Sequence, residues 1–145
     1  MFFQCPDSDA GELRASSGQA PNPALIWAVR RGHWYVWAVK HGPYVPRTEL
    51  FQAPYMNVWS SGEICTGNAR LPRHFSPEVI AGFEQAFFES RFTHPNTNVL
   101  TAFDGGVYAL WAAMLSAGDE PFPDDTLVPL NLTLGDVVRR LTKKD

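Results

Sequence analysis

The sequence predicts an α+β fold, a meander of three or four antiparallel strands followed by helices, and three observations carry that prediction. Two β-rich runs, residues 24–30 and 33–40, are separated only by Arg31-Gly32, a hairpin signal. Downstream of Ser76, apolar residues recur at helical spacing in three separate segments. Between these, the proline-punctuated connection from His41 to Pro46 leads into a further strand, and at this length and composition the 145 residues read as a single domain, 1–145. With 45% apolar and 13% aromatic residues, the chain has the material for a real core.

Met1-Phe2-Phe3-Gln4 reads as the inside of a strand, and residues 6–23, rich in Asp, Ser, Gly and Pro, read as a flexible loop, so residues 1–23 are expected to be partly flexible. Cys5 reads as an ordinary free thiol. In the hairpin, Leu25, Trp27 and Val29 fall on one face and Ile26 and Ala28 on the other; Trp34, Val36 and Ala38 oppose Tyr35, Trp37 and Val39 in the same way. Both faces are apolar, so both must be covered. The later helices are expected on one face; for the other, a partner, a second copy of the chain or an upstream segment is expected.

His41-Gly42-Pro43-Tyr44-Val45-Pro46 is a proline-punctuated connection leading to a strand over residues 49–55. Ser76-Pro77 opens a helix with a cap residue and a proline at the first helical position; Val79, Ile80, Phe83, Ala86 and Phe87 form its apolar side, and it ends near Ser90 or Arg91. Asp104-Gly105-Gly106 precedes a second helix to about Ser116, with Val107, Leu110, Trp111, Met114 and Leu115 apolar and Gly118 as its stop. Residues 126–132 are extended. A last helix starts at Thr133 with Asp136 at capping-box spacing, and Leu134, Val137, Val138 and Leu141 share one face.

The stretch that carries chemistry is Pro54-Tyr55-Met56-Asn57-Val58-Trp59-Ser60-Ser61-Gly62-Glu63-Ile64-Cys65. A polar tetrad closing on Gly62 folds the chain back, so that Asn57 and Cys65, eight positions apart, come to one rim. A thiolate attacks an activated carbonyl well even when a free thiol, with pKa about 8.5, is only a few per cent ionised at neutral pH. A carboxamide N–H aimed at the developing oxyanion then contributes roughly 3–4 kcal/mol. Arg70, Arg73 and His74 follow Cys65 closely, either as positive charge near the thiolate or as a solvated loop. Thr93-His94-Pro95-Asn96 has two readings, a tight turn after a helix or a segment folded back over Cys65, with His94 the nearby residue of suitable pKa for proton transfer.

Asn57, Gly62, Ile64 and Cys65 resemble the active-site segment of ubiquitin-conjugating enzymes, where a His-Pro-Asn triplet precedes a Gly-x-Ile-Cys-Leu run at this separation. Tyr55, Met56 and Thr66 stand in place of the His, Pro and Leu. The chain looks more closely like the prokaryotic family-D conjugating-enzyme-like proteins, known as PRTRC system protein B. The resemblance lies at Pro23-Ala24-Leu25-Ile26-Trp27-Ala28, Tyr35-Val36-Trp37-Ala38, Ala53-Pro54-Tyr55-Met56-Asn57-Val58, Phe92-Thr93-His94-Pro95-Asn96 and Asp125-Thr126-Leu127-Val128-Pro129-Leu130, and runs from about Met1 to about Leu134. It implies a ubiquitin-conjugating-enzyme-like (UBC-like) fold without the usual N-terminal helix. Relatives carry a segment ahead of the position of Met1, which implies a short or truncated member.

The same resemblance implies an acyltransferase that carries a small ubiquitin-like modifier as a thioester on Cys65, with Asn57 as oxyanion donor, His94 at the site and a ThiF-related activating enzyme as partner, in a bacterial cassette on a plasmid or mobile element. Conjugating enzymes place an acidic residue about thirty positions past the cysteine; here that region is Asn96-Thr97-Asn98, and Asp104 comes a few residues late. The alternative is a catalytically inactive binding module on the same fold. A small-molecule thiol enzyme ranks last, because His33, His41, His74 and His94 have no triad spacing. A net charge of −3 offers no general attraction to nucleic acid or anionic lipid, and no run approaches the ~18 apolar residues of a membrane span. Two cysteines sixty positions apart make no metal motif or disulfide framework, no cofactor is implied, and a cytoplasmic protein is expected.

Overall fold

A computed structural model describes residues 2–6, 13–67, 72, 76–92 and 94–143. The hairpin predicted from Arg31-Gly32 is present as β3 (Ala24–Arg30) and β4 (His33–Val39), with both turn residues at positive φ, 51° and 82°. Two left-handed residues make a turn whose twist matches that of the flanking strands. The register sets Leu25 across from Ala38, Trp27 across from Val36 and Val29 across from Trp34. A four-stranded antiparallel sheet in the order β3-β4-β5-β7 follows, with β5 at Glu49–Phe51 and β7 at Pro129–Thr133. With helices following the central strands, this is an α+β architecture.

Strand β5 is shorter than the extended run over residues 49–55 suggests. Its register with β7 shifts between Leu50 and Phe51, it leaves the ladder after Phe51, and Pro54 has no N–H to continue it. Gln52 still donates to the Val128 carbonyl at 2.8 Å, and Tyr55 N–H then turns back onto the Ala53 carbonyl at 2.8 Å. The chain is thereby steered out of the sheet just ahead of Asn57.

The helices follow the apolar periodicity. Pro77–Val79 forms a single 3-10 turn that runs into α1 (Ile80–Phe88), and α2 spans Gly106–Ser116. Helix α1 stops two or three residues earlier than the apolar pattern indicates: Glu89 N–H makes the last helical bond, to the Gln85 carbonyl, and Ser90 then turns both its N–H and its Oγ onto the Phe87 carbonyl. Phe83 and Phe87 of α1 and Leu110 and Trp111 of α2 pack with Trp34, Val36 and Ala38 in one core cluster, joined by Leu25 and Trp27. Aromatic rings meet edge to face there, Trp34 with Phe83 at 5.0 Å and Trp27 with Phe87 at 4.9 Å.

The other face of the sheet is not open. Strand β7 leads directly into α3 (Leu134–Thr142), and Val137 of α3 joins Trp37, Val39 and Leu50 in a second core cluster with Leu134 and Leu141 packed against it. The N-terminus of α3 is fixed by the Thr133–Asp136 capping box and by Leu134 and Gly135 N–H donating to the Thr48 and Pro46 carbonyls, at 2.9 and 2.7 Å. The expectation of a second copy or upstream segment on this face is therefore corrected: the chain's own last helix covers it. The helix stripe was legible, but which surface it seals depends on β7 pairing beside β5, a contact between residues about eighty positions apart.

The N-terminal segment also differs from a plain loop. Strand β1 (Phe2–Pro6) pairs antiparallel with β2 (Leu13–Ser17) and parallel with β6 (Arg91–Phe92), a separate three-stranded sheet in the order β2-β1-β6. The strand character of Phe2-Phe3-Gln4 is as the sequence suggests, but its partner lies inside the stretch read as loop. Cys5 falls in β1, across from Arg14. Among the described residues no helix is long and apolar enough to cross a membrane.

Candidate functional site

The polar turn after Asn57 builds a miniature hairpin. Gly62 N–H donates to the Trp59 carbonyl at 2.8 Å, closing a four-residue turn over Trp59-Ser60-Ser61-Gly62 with Gly62 at φ 85°. Val58 pairs antiparallel with Ile64, flanked by Cys65 N–H donating to the Asn57 carbonyl at 2.7 Å and Trp59 N–H to the Glu63 carbonyl at 2.9 Å. This register sets Asn57 directly across from Cys65. Side chains alternate along a strand, and residues directly opposite one another share a face with Cβ atoms about 4.5–5.5 Å apart. Val58 and Ile64 point into the core, so Asn57 and Cys65 share the other face. Cys65 is a free, exposed thiol.

The hairpin is anchored to the sheet. Ile64 N–H donates to the Trp34 carbonyl and Val36 N–H to the Gly62 carbonyl, both at 2.8 Å, and Tyr35 bridges Glu63. Residues 62–64 thus take the part of the β4 edge that the short β5 leaves unpaired. His33 Nδ1 and Glu63 Oε1 add an exposed hydrogen-bonded contact at 2.7 Å. Trp37 supports the turn from beneath. Its indole lies so close to Gly62 that a Cβ there would sit 2.2 Å from Nε1.

The two residues ahead of Asn57 are core. Tyr55 and Met56 are buried; the Tyr55 ring stacks on Trp111 at 5.1 Å and meets Phe87 edge to face at 4.9 Å. Its hydroxyl donates to Asn22 Oδ1 at 2.7 Å, and burial pushes the phenol well above its ordinary pKa. Trp111 Nε1 donates to the Pro54 carbonyl at 2.6 Å, tying α2 to the base of the site segment. Trp111 therefore serves packing, as its helical spacing indicates.

The His-Pro-Asn run folds back beside the site segment, since Asn96 N–H donates to the Met56 carbonyl at 2.8 Å. His94 is exposed two residues earlier. The Asn57 carboxamide oxygen is buried without a hydrogen-bond partner, and so is the Asn96 side-chain nitrogen. Asp104 is exposed, in the turn before Gly105, the residue at φ 81° that leads into α2. Arg70, Arg73 and His74 lie outside the described residues. Among the described residues no group of three or more His, Cys, Asp or Glu side chains is placed to hold a metal ion.

One residue of this site has no signal of its own in the sequence. Trp37 reads simply as an apolar strand residue; only the Ser-Ser-Gly turn hints that something must approach Gly62 closely. Asn96 belongs to the run for which a fold-back over Cys65 is one of two readings, but its backbone bond to Met56 needs the three-dimensional path.

A helix-backed antiparallel sheet carries at its rim an exposed thiol held across from an asparagine, the arrangement the resemblance to E2-like proteins leads one to expect. The family model described as prokaryotic E2 family D matches residues 1–130, and the chain belongs to this family. No curated protein and no solved structure matches it.

Proposed function

We propose that this chain is a thioester carrier of a small protein modifier, an acyltransferase in a bacterial PRTRC cassette, with Cys65 as acceptor thiol and Asn57 as oxyanion donor. The observation that carries the reading is the hairpin register that sets Asn57 across from Cys65 on the face turned away from the core. In loading, the Cys65 sulfur attacks the modifier's C-terminal thioester carbonyl on a ThiF-related activating enzyme. A new C–S bond forms, the old one breaks, and the thiol proton goes to the departing thiolate. In transfer, an amine attacks the Cys65 thioester, a C–N bond forms, and the sulfur leaves. The burial of the Asn57 oxygen supports a carboxamide whose N–H end serves the rim and stabilises the oxyanion by roughly 3–4 kcal/mol. His94, exposed on the segment that folds back beside Met56, accepts the amine proton.

The test is to incubate the protein with activating enzyme, modifier and ATP and run a non-reducing gel. The expected result is an adduct that a thiol reagent removes, absent in Cys65→Ala and still formed in Asn57→Ala, with discharge to amine slowed about 10²–10³-fold in the latter. An adduct that persists in Cys65→Ala refutes the assignment. No adduct at all favours the second reading, a catalytically inactive UBC-like binding module, which draws support from Asn96-Thr97-Asn98 lacking any carboxylate.

A further inference from the structure

Two complementary polar groups are left unmet beside the proposed site. The Asn57 carboxamide oxygen is a buried acceptor with no partner, and the Asn96 side-chain nitrogen is a buried donor with no partner. An unmet buried group carries its full desolvation cost, which native structures avoid by pairing. The backbones that carry these two groups are adjacent for a definite reason. Asn96 donates its backbone N–H to the Met56 carbonyl at 2.8 Å, and that carbonyl carbon is bonded to the backbone nitrogen of Asn57. Both side chains are short, and each turns about only two bonds.

We propose that Asn96 is a positioning residue for Asn57: the two groups are unpaired in this structure, and a turn about their side-chain torsions brings the Asn96 N–H onto the Asn57 carboxamide oxygen, which fixes the other end of that carboxamide, the N–H end, toward the rim that Cys65 occupies. A carboxamide that rotates freely presents oxygen to the oxyanion as readily as nitrogen, and oxygen repels it. A donor locked onto the Asn57 oxygen removes that orientation and polarises the remaining N–H bonds. The His-Pro-Asn run thereby acts on the site through its last residue, with His94 and Asn96 contributing separately. The catalytic consequence rests on the thioester-carrier reading; the contact itself does not.

The contact is tested on the whole chain by a double-mutant cycle in the unfolding equilibrium, using Asn57→Ala, Asn96→Ala and the pair. A coupling factor of roughly 3- to 10-fold is expected, and a factor under about 2 overturns the contact. Should Asn96→Ala fail to fold, the isosteric Asn96→Asp replaces it in the same cycle, where a carboxylate facing the Asn57 oxygen cannot donate. For the catalytic part, discharge of preformed thioester is followed against amine concentration. Asn96→Ala is expected to lower the maximal rate about 10-fold without changing the half-saturating amine concentration, and to have no effect in the Asn57→Ala background. An equal loss in both backgrounds overturns positioning through Asn57. If wild-type protein forms no thioester, the carrier reading fails, while the unfolding cycle still decides the contact.

Discussion

Gly62→Ala is the sharpest perturbation of this architecture. A Cβ at this position would lie 2.2 Å from Trp37 Nε1, 2.3 Å from Cε2 and 2.8 Å from Cζ2, and the backbone sits at φ 85°. The indole has nowhere to go: Trp37 is 2% exposed, stacks on Tyr35 with ring centroids 5.7 Å apart, and belongs to the cluster sealed by α3. The left-handed backbone costs an alanine about 1–2 kcal/mol. Forcing a methyl into a packed contact typically costs about 1–3 kcal/mol more. A loss of about 2–5 kcal/mol follows from the two together, a large share of the roughly 5–15 kcal/mol that holds a domain folded. Urea unfolding of Gly62→Ala against wild type measures it. Replacing Trp37 by Leu should recover part of the steric share, so Gly62→Ala costs less in the Trp37→Leu background. If Gly62→Ala lies within about 0.5 kcal/mol of wild type, the close approach of indole and turn is not a constraint and the account of how the hairpin is supported is wrong.

Other outcomes follow from contacts around the same core. Tyr55→Phe loses the 2.7 Å hydroxyl bond to Asn22 and should cost about 1 kcal/mol in urea unfolding. Because burial raises the Tyr55 phenol in the folded state, its share of stability is complete below the unfolded value of about 10 and is lost as pH rises toward the higher folded value. Unfolding measured from pH 8 to 11 should therefore show a shallower alkaline loss for Tyr55→Phe. Trp111→Phe removes the 2.6 Å bond to Pro54 and strands a buried carbonyl, so a loss of about 1–3 kcal/mol is expected in the same assay. At the start of α3, Thr133→Ala should cost about 1 kcal/mol as a lost helix cap. Asp136 has its carboxyl held below the usual value, first by the Thr133 hydroxyl bond and then by the Thr133 backbone N–H. Its stabilisation is present above the unfolded value of about 3.9 and is lost as pH falls through the lower folded value. Thr133→Ala should flatten that acid limb in a pH series of unfolding curves.

What the sequence made legible was local. Arg31-Gly32 announces its hairpin because few turns fit two residues between long strands, and Thr133 with Asp136 announces a helix start because the cap geometry needs only four consecutive residues. The Asn57-to-Cys65 fold-back was readable for the same reason: Gly62 closes a turn whose hydrogen bonds all lie within nine residues. What escaped was long-range pairing. Nothing in Leu13–Ser17 advertises a strand, since its apolar content is low and its order comes from pairing with β1. The covering of the second sheet face by α3 could not be read from its stripe, because Leu134, Val137 and Leu141 would look the same on a helix packed anywhere. Asn96 was visible as a motif but not as a neighbour of Met56, which depends on the course of the chain through α1 and back.

The early end of β5 is what makes the site possible. Were residues 49–55 one continuous strand, the whole edge of β4 would be occupied and the segment around Cys65 would have no backbone to bind. Because the ladder stops at Phe51, the Trp34 carbonyl and the Val36 N–H are left to Ile64 and Gly62, and the hairpin completes the sheet in place of the missing strand. Moving Cys65 then requires breaking two 2.8 Å sheet bonds and withdrawing Val58 and Ile64 from the core. An exposed sulfur gains a fixed position in this way without being buried itself. The same two strands of the hairpin carry Asn57, so thiol and carboxamide are held by one set of bonds and any motion that displaces one displaces the other.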